Sequence, residues 1–156
     1  LPDPAEIGKF LRTMNTLAIR AAIALSLSAS ILFAKEDPEA YSKTVSVKQI
    51  LRTSRTAGGG PLVFPAGSSE VTGIEVTIPA GSSTGWHRHA RSGFAYVLKG
   101  RLQVVLKDST RNEFIPGQAF AEVANTLHDG IALGTEDVKL VAFFLSDSGK
   151  PISTKP

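Results

Sequence analysis

GSSTGWHRHARSGFAYVLKG, residues 81–100, decides the reading of this chain. It carries His87 and His89 on either side of Arg88, and the only other histidine in the sequence is His128. Side chains alternate between the two faces of an extended strand, so His87 and His89 point to one side, Trp86 and Arg88 to the other. Two imidazoles on an inward face make half of a metal site. A third from a neighbouring strand completes a facial set with open positions. The surrounding sequence then has to build a barrel that carries His128 to the other two.

Upstream of this stretch, Ile74, Val76 and Ile78 alternate with Gly73, Glu75 and Thr77, which predicts a half-buried strand. Val45, Val47 and Gln49 alternate with Ser46, Lys48 and Ile50 and predict a first strand ahead of it. Downstream, short strands are expected around residues 85–89, 94–99, 101–107, 112–115, 118–123, 127–133 and 138–145. Turn signals divide them at Gly100, residues 107–110, Pro116-Gly117, Asn125 and residues 134–137. Val138 to Leu145 (VKLVAFFL) is nearly continuous apolar, as expected of a strand buried on both faces. No long helical pattern follows residue 55. Many short strands with Gly/Pro turns predict an all-β sandwich or barrel, and a jelly roll manages its sheet edges well.

The chain has 156 residues, enough for one domain with a real core, and no cysteine. Disulfides and thiolate zinc sites are thereby excluded, so any metal must be held by His, carboxylate or water. Net charge is +3, but no Lys/Arg run interleaved with aromatics occurs, which argues against nucleic acid as a partner. Residues 21–34 (AAIALSLSASILFA) are uncharged, follow Arg20 and precede Lys35-Glu36-Asp37. The run is too short for a membrane span and suits a signal-peptide core, with Met14 where an initiator would stand. A buried helix or an uncleaved anchor are the rival readings. The expected organisation is an upstream extension and signal peptide over 1–34, a linker over 35–44, the barrel over 45–148 and a tail over 149–156. The mature protein is thus expected to be exported, periplasmic or secreted, with no stable membrane span.

Gly81, His87, His89 and Gly100 fall on the spacing of the first motif of the cupin superfamily, and Phe94, Tyr96, Val97 and Leu98 agree with it. Gly93 stands where that motif has Glu. Gly117 and His128 match the second motif, while Val123, Asn125 and Ala132 replace its Pro, Gly and Asn. The sequence therefore resembles a small single-domain cupin over about residues 45–148. The resemblance implies a jelly-roll β-barrel, His87, His89 and His128 as metal ligands, and a homodimer. It also implies oxygenase, isomerase or related activities without choosing among them.

A neutral imidazole is a good ligand for Fe, Mn, Zn, Ni or Cu, and three of them leave positions for water and substrate. Three neutral ligands leave a divalent charge uncompensated once the motif's Glu is lost. Glu122, on the strand entering the His128 loop, is the candidate replacement, as a ligand directly or through water or as a catalytic carboxylate. An exposed strand carboxylate is the plainer alternative. Gly93 reads either as a turn residue or as one that widens a vacant position for a substrate group. Trp86, Phe94, Tyr96 and Phe120 are aromatics near the site whose default role is packing. Arg88 is expected on the surface. Arg91 is expected to be solvated, or else to meet an anionic ligand at the mouth. Asn125 is expected in a left-handed turn, and Asp129 is expected to point away from the metal. Gly81 to Gly85 lacks a nucleophile elbow, and Gly58-Gly59-Gly60 lacks the context of a phosphate loop. Two functions follow: a metal-dependent enzyme acting on a small polar organic molecule, or a non-catalytic module that binds a small ligand or metal.

Overall fold

The structure, a computed structural model, describes Ser42 and residues 44–156. The upstream extension, the signal-like run and all of the linker up to Tyr41 lie outside the described residues. The unit Val47–Pro156 holds seven strands: β1 (Ser69–Ile78), β2 (Gly93–Lys99), β3 (Arg101–Leu106), β4 (Arg111–Phe114), β5 (Ala119–Ala121), β6 (His128–Leu133) and β7 (Val138–Asp147). The pairings between these strands are all antiparallel and fall into two sheets, ordered β1-β7-β2-β5 and β4-β3-β6. Among the described residues there is no helix. The unit Val47–Pro156 is an all-β jelly-roll barrel.

Strand alternation decides what the two sheets hold between them. Val97 of β2, Leu102 and Val104 of β3, and Leu140 and Ala142 of β7 are buried together in one core. Gly100 carries the chain from the first sheet to the second. Its φ is +74°, and a Cβ there would lie 2.5 Å from the Asp137 carbonyl oxygen, so only glycine fits the crossing.

Three expectations change in the structure. Residues 45–50 form no strand and are exposed; the alternation there finds no partner strand, and a single extended segment does not hold itself. β7 is central in its sheet but buried on one face only, because Leu140, Ala142 and Phe144 turn inward while Phe143 is 52% exposed on the outer face. Residues 85–89 are not a regular strand. They make isolated bridges to three different segments, His87 with His128, Arg88 with Thr154 and His89 with Ala124. That segment is held from several sides, which is what lets it aim both rings at the barrel interior.

Candidate metal centre

His128 opens β6, and its backbone pairs with that of His87 through two hydrogen bonds of 2.9 and 3.0 Å. The His89 carbonyl accepts from the Asn125 N–H at 2.7 Å, and Asn125 has the expected left-handed backbone, φ 55°. These bonds bring the three imidazoles together: one ligand atom from each lies within 4.8 Å of the others, and the ring centroids are 4.4–5.1 Å apart.

Each ring is oriented by a backbone carbonyl. His87 Nδ1 donates to the Gly85 carbonyl at 2.7 Å, His89 Nδ1 to Ile152 at 2.8 Å and His128 Nδ1 to Thr126 at 2.9 Å. A carbonyl can only accept, so every Nδ1 carries its proton and every Nε2 keeps a free lone pair. Burial lowers the His89 pKa from 6.5 to about 4, helped by the neighbouring His128 and His87 and opposed by the Ile152 carbonyl. Burial also lowers that of His128. Neutral rings with converging Nε2 lone pairs are the donor set a divalent transition metal requires, so the residues fit one.

Glu122 is the residue after β5 and is buried, facing the same cavity, with Oε2 3.8 Å from His128 Nε2. Burial raises its carboxyl pKa from 4.5 to about 7. Its position follows from the register. Gly93 lies opposite Phe144 on one side, and on the other its carbonyl accepts from the Glu122 N–H at 2.9 Å. Opposed residues share a face, so Phe144, the vacant side-chain position of Gly93 and Glu122 form one inward row. The Phe144 ring fills that position, since a Cβ on Gly93 would stand 2.4 Å from Phe144 Cδ1. Gly93 is therefore neither a turn residue nor an opening for substrate. It starts β2 and gives its space to an aromatic ring that packs on His89, centroids 4.4 Å apart.

Among the other predicted residues the outcome is mixed. Trp86 does not face away; it lines the cavity while remaining 43% exposed, because the irregular segment does not keep strict alternation. Arg88 does not line the cavity, and its backbone pairs with that of Thr154. Arg91 does not line the cavity; its side chain is part-exposed and pairs with Asp147 at 2.7 Å. Phe120 stacks on Phe114 in the core at 3.9 Å, and Phe94 and Tyr96 lie half-buried on the outer face of β2. Asp129 stays out of the histidine group and accepts from Thr84 Oγ1 at 3.1 Å, while that hydroxyl accepts from the Gly130 N–H at 2.9 Å.

Sequence reasoning missed Phe144, Thr84, Ile152 and Lys155, all of which line the cavity. The alternation of Leu140, Ala142 and Phe144 could have placed the ring inward. No local pattern points to Ile152 or Lys155, which arrive with a tail that folds back along Arg88.

A β-barrel that gathers three imidazoles at one end of its interior is the architecture of the cupins. Residues 74–144 match the family model described as the cupin domain, and over those residues the chain carries a cupin domain. No curated protein matches it. Among solved structures it is similar to a cupin-2 domain-containing protein from Shewanella frigidimarina, at 19% identity and a TM-score of 0.42, over 49% of this chain and 71% of that one. A cupin-like protein from Thermotoga maritima is 17% identical, with a TM-score of 0.49 over 55% of this chain and 64% of that one. The DMSP lyase of Ruegeria pomeroyi is 16% identical, with a TM-score of 0.49, and the chain spans 62% of its own length and 46% of the lyase.

Proposed function

We propose that His87, His89 and His128 hold one divalent transition metal, and that the loaded site acts as a metal-dependent enzyme of the oxygenase or isomerase type on a small polar organic molecule. The observation that carries this reading is the triple Nδ1–carbonyl arrangement, which leaves three Nε2 lone pairs free in a histidine group whose ligand atoms lie within 4.8 Å of one another. A bound Fe, Mn, Zn, Ni or Cu ion would supply Lewis acidity or, for the redox metals, oxygen activation. The chain supplies the rest. Glu122 places a carboxylate beside His128, where it offsets part of the ion's charge or takes a proton from a substrate bound next to it. Phe144 and the aliphatic walls exclude water from the far side of the rings.

Metal analysis of purified protein beside a His89→Ala variant tests this. About one equivalent in the parent and almost none in the variant is expected, with a melting temperature that rises on metal addition only in the parent. Equal metal content in the two proteins sinks the reading.

The loss of the motif's carboxylate at Gly93 favours a second reading, a cupin that binds its ligand or metal without turnover. Metal-dependent conversion of any compound in a panel of small phenols, keto acids and sugars excludes it. We also propose a homodimer joined through the outer face of β1 and β7, where Val71 is 64% exposed beside Phe143. Sedimentation of the purified chain checks that assignment. Export remains part of the proposal, supported by the uncharged run 21–34, and N-terminal sequencing of protein from the native host tests it.

A further inference from the structure

The cavity faced by the three histidines has a volume of about 670 Å³, within the range of roughly 300–1,000 Å³ that takes small organic ligands. Its walls are unlike its floor. Ile74 and Val76 of β1, Leu102 and Val104 of β3, and Leu140 and Phe144 of β7 are all apolar. A hydroxyl-rich ligand pressed against those walls gives up water hydrogen bonds and finds no replacement. A hydrocarbon body meets no such cost and gains by burial.

The charge pattern points to the other end of the ligand. Three neutral imidazoles around a divalent ion leave positive charge that Glu122, and Asp129 behind Thr84, offset in part, and Lys155 lies at the exposed rim of the same cavity. Thr84 and Thr154 add hydroxyls near the mouth. A cationic end and an apolar interior select an amphiphile with one negative head.

We propose that this site takes a small monocarboxylate with a hydrocarbon body, the carboxylate held between the histidine centre and Lys155 and the body lying on the aliphatic walls. The proposal rests on the metal reading above and narrows the substrate from a polar molecule at large to one whose polarity is confined to a single end. Only a ligand of that shape satisfies both the six apolar walls and the residual charge.

The test uses the full chain loaded with zinc, whose uptake is measured first in a separate titration. Butanoate, hexanoate and octanoate are then titrated calorimetrically at fixed ionic strength, beside gluconate as a hydroxylated acid and hexanol as a body without a head. Affinity is expected to rise roughly threefold to fourfold per methylene until the cavity is filled. Hexanoate is expected to bind at least about tenfold tighter than either gluconate or hexanol, a margin set by hydroxyls left unpaired and by the missing head charge. Lys155→Gln is expected to weaken every carboxylate by roughly twofold to fivefold, the range of an exposed ion pair. A parent that takes up no zinc refutes the metal reading at the first titration. Zinc uptake followed by a flat chain-length series, or by gluconate matching hexanoate, overturns the hydrocarbon body alone. Hexanol matching hexanoate overturns the anionic head, and unchanged affinities in Lys155→Gln overturn the role of that lysine.

Discussion

Gly93→Ala is a small change with a large expected consequence, because the added methyl enters the row occupied by Phe144. Its Cβ would lie 2.4 Å from Phe144 Cδ1 and 2.5 Å from Cε1, against an ordinary carbon–carbon contact of about 3.5–4.0 Å. Backbone strain plays no part, since Gly93 is not among the positions with positive φ. The ring has little room to yield, being 5% exposed and packed on His89. Overpacking of this kind costs about 1–3 kcal/mol. Phe144→Ala alone is expected to cost about 3–5 kcal/mol through the cavity it leaves. In the double variant the methyl enters that cavity, so the Gly93→Ala step becomes neutral, or stabilising by about 0.4–1 kcal/mol through a stiffer unfolded chain. Urea unfolding of the four chelator-treated proteins gives the cycle. Additivity within about 0.5 kcal/mol would falsify the claim that glycine is there to admit the ring.

Two further outcomes are expected. Burial raises the Glu122 carboxyl pKa from 4.5 to about 7, so its contribution to stability is complete below pH 4.5 and disappears as pH rises through 7. Between about pH 5 and pH 8.5, metal-free Glu122→Gln should therefore lose less stability than the parent, by at most about 3 kcal/mol; parallel pH profiles in thermal melts refute this. Truncation after Lys150 removes the Ile152 carbonyl that accepts from His89 Nδ1 and the pairing of Thr154 with Arg88. Zinc affinity should fall about 10- to 100-fold while the far-ultraviolet β signal persists, and an unchanged affinity by calorimetry removes the tail from the site.

Most of the barrel was legible because its strands keep period two against a solvated face. The alternation of Ile74, Val76 and Ile78 marked β1, and Gly100 marked the crossing after β2. The same rule misled at Val45 to Ile50, where alternation finds no partner, and at VKLVAFFL, where a central strand has an apolar outer face. The three histidines could be grouped in advance because they are the only ones in the chain and two are adjacent on one segment. What surrounds them could not. Trp86 turned inward because its segment answers to three neighbours, and Arg91 was claimed by Asp147 from far along the chain. The Phe144–Gly93–Glu122 row depends on two cross-strand registers that no local pattern encodes.

The bond from His89 to Ile152 joins residues 63 positions apart, and the first strand finds its partner only in the last, Ser69 opposite Asp147. A ribosome delivers the histidines long before it delivers the groups that orient them. Early in translation the rings have neither a fixed tautomer nor a common direction, so a nascent chain offers no preorganised three-histidine chelate. On the proposed metal reading, selection by the assembled site is deferred until synthesis has run past Ile152, and the ions that compete for it are those of whichever compartment witnesses the completion of folding.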